Sequence, residues 1–132
     1  MVGSKTKNKQ TGDIGESIAC IFLERKGYRI VDTKVRASWC EIDIIAEREN
    51  MIHFVEVKSV MCDGDFLFSD DKNQYRPEEL VHKVKFRKIA RFADFYMNKE
   101  QDQRDYQIDV IGVFLHKKQH KARCRMTENV FL

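Results

Sequence analysis

The chain has 132 residues, of which 42% are hydrophobic and 34% charged, with a net charge of +3. That length supports one domain around a single core, and the composition is ordinary for a soluble globular protein. It excludes nucleic-acid binding by global charge, so any such binding must rest on local clusters of cations.

No stretch is long and apolar enough for a transmembrane helix, and the N-terminus lacks the apolar centre of a signal peptide, so a cytoplasmic protein with no membrane partner is expected. The four cysteines, Cys20, Cys40, Cys62 and Cys124, are far apart with no C-x-x-C. They fit free thiols rather than a zinc site.

Residues 1–10 are polar and carry Lys5, Lys7 and Lys9, which predicts a flexible basic tail ahead of a single domain over 11–132. A helix is expected over 12–26, capped by Gly27, with Ile14, Ile18, Ala19, Phe22 and Leu23 on its buried stripe. Asp13 as N-cap would make Glu16 the partner in a capping box. A first strand follows over 28–36.

The most informative stretch is 41–58, EIDIIAERENMIHFVEVK. Apolar runs at 42–46 and 52–57, rich in β-branched residues, flank a polar turn and predict a β-hairpin. A two-residue turn at Glu49-Asn50 pairs Arg48 with Met51, places Asp43 opposite Glu56, and places Glu41 opposite Lys58. Period-two alternation then puts these four polar groups on one face and Ile42, Ile44, Ala46, Val55 and Val57 on the other. A slip of one residue would bury charge, so the pattern itself selects this register.

Facing carboxylates repel, and they need a shared proton or a cation. A hard ion such as Mg²⁺ is satisfied by one or two carboxylates, with water and substrate phosphate completing its shell. Lys58, two residues beyond Glu56, is placed to hold a phosphate or an attacking water. The competing reading is a solvated face with a Glu41–Lys58 salt bridge. Three acids and a lysine converging within otherwise apolar strands favour the phosphodiesterase-like reading.

Trp39, ahead of the hairpin, has two readings: a base-stacking surface or ordinary packing. The segment 61–76 is loop-like and acidic, with Asp63, Asp65, Asp70 and Asp71, and such a loop beside a site often gates it. Pro77 opens a second helix over 77–97, with Leu80, Val81, Val84, Ile89, Phe92, Ala93 and Tyr96 facing inward. Lys83, Lys85, Arg87, Lys88 and Arg91 on this helix are more one-sided than solubility requires and suit a phosphate-tracking face. A strand over 106–115 carries Asp109, which either orients Lys58 or a backbone turn, or is a hydrogen-bonded structural group. His116 and His120 fall in a turn and read as surface residues. A last strand spans 122–132.

Asp43 with Glu56-Val57-Lys58 resembles the PD-(D/E)XK nuclease signature. The wider pattern resembles the YraN-like family of uncharacterised bacterial proteins. It comprises G-x-x-G-E-x-x-A at 12–19, E-I-D-I-I-A at 41–46, F-V-E-V-K at 54–58, the basic helix at 85–96 and Q-I-D-V-I at 107–111. Cys40 stands where that family usually has Gly, and Ser59 where it often has Arg.

The resemblance implies a restriction-endonuclease-like α/β sandwich with a mixed central sheet, in the order helix, three strands, helix, two strands. It implies a Mg²⁺-dependent endonuclease, with Mn²⁺ as a substitute ion, acting on nucleic acid and on DNA first of all. Asp43 and Glu56 would bind the metal, Lys58 would position the attacking water, and Glu16 and Glu41 would complete an acidic pocket. A homodimer is an analogy with junction-resolving fold relatives. The alternative is a non-catalytic nucleic-acid-binding or partner-binding protein on the same fold.

Overall fold

The computed structural model describes residues 2–62 and 83–130, with the side chains of the first helix described from Gln10 onward. In chain order the elements are α1 (Val2–Arg25), β1 (Arg29–Ala37), β2 (Cys40–Arg48), β3 (Met51–Cys62), α2 (Lys83–Lys99), β4 (Tyr106–His116) and β5 (Lys121–Thr127). The strands form one sheet in the order β1-β2-β3-β4-β5. Neighbours are antiparallel except β3 and β4, which are parallel. Parallel neighbours require a long crossover, and α2 lies on it.

The sheet is covered on both faces. Against one face, Ala19 and Leu23 of α1 pack on Ile44, Ala46, Val55, Ile111, Val113 and Leu115. Against the other, Ile89, Phe92, Ala93 and Met97 of α2 pack on Ile42, Ile45, Ile52, Phe54 and Ile108. Burial on both faces explains why β3 and β4 read as continuous apolar runs rather than alternating ones. The expected sandwich with a mixed sheet is the observed fold.

Local chemistry sets the joints. Gly27 takes φ +90°, and the Gly27 and Tyr28 amides donate to the carbonyls of Glu24 and Leu23, each at 3.0 Å. This is a Schellman cap, closed by apolar contact between Leu23 and Tyr28. Glu49 and Asn50 both have positive φ, +52° and +62°, as a type I′ hairpin turn demands. The ladder from Arg48↔Met51 to Ile44↔Val55 has the register expected from the hydrophobic pattern.

Gly15 fixes the seat of α1. A Cβ placed there would stand 1.7 Å from Ser59 Oγ and 2.9 Å from Ser59 Cβ. Only glycine lets the helix lie this close to β3, and the next residue is Glu16.

Several expectations are corrected. α1 starts at Val2 rather than at 12, so the backbone of residues 2–10 is helical. The stretch has no proline, and extending an existing helix avoids the cost of nucleation. Asp13 is therefore inside the helix and cannot be its N-cap, which removes the capping-box role of Glu16. Ile14 is 52% exposed, at a cavity that it lines with Met61 and Leu115 at the ends of β3 and β4. Val84 is also exposed rather than part of the inner stripe of α2.

Ile42 packs on the α2 side, not with Ile44; the alternation breaks at Asp43, opposite the positive-φ Lys34 of β1. β5 ends at Thr127; beyond it the Asn129 amide donates to Asp109 Oδ1 at 2.9 Å and the Val130 amide to the Ile108 carbonyl at 2.8 Å. His116 is buried at the end of β4, opposite Lys121, while His120 is exposed in the turn. The helix start at Pro77, Leu80, Val81 and the acidic stretch 63–76 lie outside the described residues, whereas Met61 and Cys62 extend β3.

Candidate functional site

The site lies where two strands part. β2 and β3 are laddered up to Ile44↔Val55. Past that point β2 stays with β1 as far as Ala37↔Cys40, whereas β3 runs on beside β4 as far as Cys62↔His116. In the opening, Asp43 Oδ2 accepts a hydrogen bond from the Val57 amide at 2.8 Å, so a side chain replaces the missing ladder bond. This tether holds the Asp43 carboxylate against β3, next to Glu56.

Glu56 is 2% exposed, and its Oε1 has no hydrogen-bond partner among the described residues. Its counter-charge is Lys85 of α2, whose Nζ contacts Glu56 Oε2. Burial pushes the Asp43 carboxyl up to about 7, and the adjoining Glu56 carboxylate pushes in the same direction. Burial alone would lower the Lys85 ammonium, but its contact with Glu56 outweighs that and leaves it raised. Two close carboxylates with one of them slow to ionise is the signature of a site short of positive charge.

Glu16 approaches from α1. Its carboxyl is raised by burial, lowered by Lys34, and raised again by the field of Asp43. Lys34 Nζ bridges Glu16 at 2.8 Å and Asp13 at 3.2 Å. Lys34 itself has φ +51°, between the pairs Thr33↔Ile44 and Val35↔Ile42, so β1 is kinked beside Asp43. Glu16 is thus within electrostatic reach of Asp43 but already held by a cation.

The remaining site candidates divide. Lys58 is half-buried, follows Glu56 on the same face of β3, and has no ion-pair partner among the described residues. Glu41 does not pair with Lys58; it is exposed and lies 3.6 Å from Arg36 across the β1–β2 ladder. The expected pairing fails because β2 has left β3 by that point. On α2, Lys83, Arg87 and Lys88 are exposed, and Arg91 sits over the Trp39 ring at 5.4 Å. Lys85, grouped with them in the sequence reading, is half-buried and brings its ammonium to Glu56.

Two features of the site were not read from the sequence. Lys85 shares the stripe of Ile89, Phe92 and Ala93, and a lysine at a core position on an amphipathic helix is a usable signal for a buried partner. Asp13 and Glu16, three apart on one helix face, likewise called for a cation, and Lys34 supplies it. Asp109 does not orient Lys58. It is fully buried, bound to His53 Nδ1 at 2.7 Å, Gln107 Nε2 at 2.8 Å and the Asn129 amide at 2.9 Å, and so clasps the segment after β5 to the sheet.

Among the described helices none is long and apolar enough to cross a membrane. Residues 15–113 match the model of the uncharacterised protein family UPF0102. A UPF0102 protein of Campylobacter hominis is 32% identical over 126 residues, covering 96% of this chain and 97% of the relative. One from Clostridium acetobutylicum is 36% identical over 125 residues, covering 94% and 95%. One from Fervidobacterium nodosum is 35% identical over 113 residues, covering 83% and 77%.

Proposed function

The chain belongs to the UPF0102 family, and on that premise we propose that it is a divalent-metal-dependent nuclease hydrolysing phosphodiester bonds in nucleic acid, with DNA as the first substrate to test. The observation that carries this reading is the Asp43–Glu56 pair. It comprises two adjoining carboxylates at a parting of strands, one of them buried with Oε2 against the Lys85 ammonium and Oε1 without a hydrogen-bond partner among the described residues. Such an all-oxygen donor set fits Mg²⁺ or Mn²⁺, which take carboxylates together with water and phosphate oxygen. When bound there, the ion would supply Lewis-acid stabilisation of phosphate charge and a more acidic water.

The chain's own residues divide the remaining work. Asp43 and Glu56 would hold the ion, with the Val57 amide fixing the orientation of Asp43. Lys58 positions the attacking water or a phosphate oxygen from the same face. Lys85 balances Glu56 and, at the mouth of the site, would also face phosphate. Glu16 tunes the field at Asp43 through its pairing with Lys34. Glu41 is assigned to the rim of the pocket rather than to the ion. Lys83, Arg87 and Lys88 supply backbone contacts along α2.

One observation favours the competing reading, a nucleic-acid binder without catalysis: Lys85 already neutralises Glu56 from within the chain. A cleavage panel on branched, duplex and single-stranded substrates with Mg²⁺ or Mn²⁺, run beside Asp43→Asn, separates the two. Ion-dependent cleavage lost in Asp43→Asn supports the nuclease. Binding with no cleavage of any substrate by wild type leaves the binder.

A further inference from the structure

Trp39 stands in the β1–β2 turn, 40% exposed, an unusual position for the chain's one tryptophan. It is not loosely held: Phe92 of α2 lies 6.0 Å away, centroid to centroid, and Arg91 caps the ring at 5.4 Å. Trp39 lines a cavity of about 370 Å³ together with Cys40, Glu41, Val84, Lys85 and Lys88. Lys85 is also the residue that contacts Glu56, so one side chain joins this cavity to the carboxylate pair.

We propose that this cavity is a base-stacking subsite, and that the substrate is a nucleic acid with an unpaired nucleotide next to the bond that is cut. This rests on the nuclease reading of Asp43 and Glu56 and deepens it by naming the class of substrate. The chemistry is that of single-strand recognition: an aromatic face for a base, with cations beside it for the flanking phosphates. Lys85 and Lys88 are the cations, and the contacts of Trp39 with Phe92 and Arg91 lower the cost of ordering it. Glu41 decides between base and phosphate as the occupant. A carboxylate accepts hydrogen bonds from the amino or imino edge of a base, whereas it repels a phosphate. A base inside a duplex is stacked on its neighbours and cannot reach such a pocket without being extruded.

The test uses the full chain carrying Asp43→Asn, so that substrate stays intact, with a labelled oligothymidylate and a blunt duplex of equal length. Tryptophan emission reports Trp39 alone, and anisotropy of the label reports binding. The single strand should quench the emission and the duplex should leave it unchanged. Adding Trp39→Ala should weaken single-strand binding roughly five- to a hundred-fold, the range for one lost base stack, while Trp39→Phe retains most of it. Single-strand binding with unchanged emission and unchanged affinity in Trp39→Ala overturns the subsite and leaves the nuclease reading standing. Equal quenching by duplex overturns the preference for an unpaired nucleotide. No binding of either nucleic acid overturns the subsite and the nuclease reading together.

Discussion

Lys85 Nζ rests on Oε2 of Glu56, so a helix cation neutralises the most deeply buried carboxylate of the site. Removing one partner of a fully buried pair costs about 3–5 kcal/mol. Here the Lys85 side chain is 43% exposed, and solvent screening reduces the expected loss. Lys85→Met should therefore lower metal-free stability by roughly 1–3 kcal/mol in denaturant titrations. Millimolar Mg²⁺ should restore more stability to this variant than it adds to wild type, because the ion replaces the lost charge. An equal Mg²⁺ effect in both proteins would mean that lysine and ion do not share Glu56.

Asp43 gives a pH prediction with a definite sign. Its carboxyl is raised from 3.8 to about 7 by burial and by Glu56, so the folded state holds a proton that the unfolded chain has released. Stability from this group is fully present below 3.8 and is lost as pH rises towards about 7. The slope has a ceiling of about 1.4 kcal/mol per pH unit. Asp43→Asn, which keeps an acceptor for the Val57 amide, should melt higher than wild type at pH 8, with the gap closing towards pH 4. In wild type the Mg²⁺ affinity should fall as pH drops below about 7, since the ion must displace that proton. A pH-independent gap would remove Asp43 as its source.

Gly15→Ala reverses an ordinary expectation. In an exposed helix the change stabilises by about 1 kcal/mol, but here the new methyl would collide with Ser59. Overpacking of this kind costs about 1–3 kcal/mol, so melting temperature should drop. Ser59→Gly removes both clashing atoms and should recover most of the loss in the double variant. Failure of that rescue would show that some contact other than Ser59 sets the approach of α1.

The exposed cations of α2 carry the binding prediction. Reversing Lys83 and Arg87 to Glu should weaken nucleic-acid binding and reduce the log–log salt slope by about 0.7–0.9 for each lost phosphate contact. An unchanged slope would return these residues to plain solvation of the helix.

The hairpin register was legible because β-branched and charged residues alternate on strands whose mispairing would bury charge. Glu49 and Asn50 then made the turn that this register required, although their identity alone was a weak signal. The Gly27 cap was legible because positive φ at a helix end selects glycine. What could not be read was where the ladder stops. Beyond the last β2–β3 pair, Ile44↔Val55, Ile42 lies on the α2 face and Glu41 meets Arg36 instead of Lys58. Past that point β2 follows β1 and β3 follows β4, long-range pairings that a local pattern does not contain. The inward turn of Lys85 was half-visible, since its helical phase matches Ile89 and Phe92, but charge grouped it with its exposed neighbours. The clasp around Asp109 joins residues from β3, β4 and the segment after β5, and no spacing in the sequence announces it.

The central claim is that Asp43 and Glu56 hold a divalent ion for phosphodiester hydrolysis, with Lys58 serving the chemistry and not the ion. Its most direct test is the thermal midpoint of wild type, Asp43→Asn and Lys58→Ala, each with and without millimolar Mg²⁺, paired with cleavage of a nucleic-acid panel by the same samples. Wild type should be stabilised by Mg²⁺ and cut, Asp43→Asn should lose both responses, and Lys58→Ala should keep the Mg²⁺ shift but lose cleavage. A wild-type protein that shows no Mg²⁺-dependent shift and cuts nothing, even with nucleic acid present, would contradict the claim.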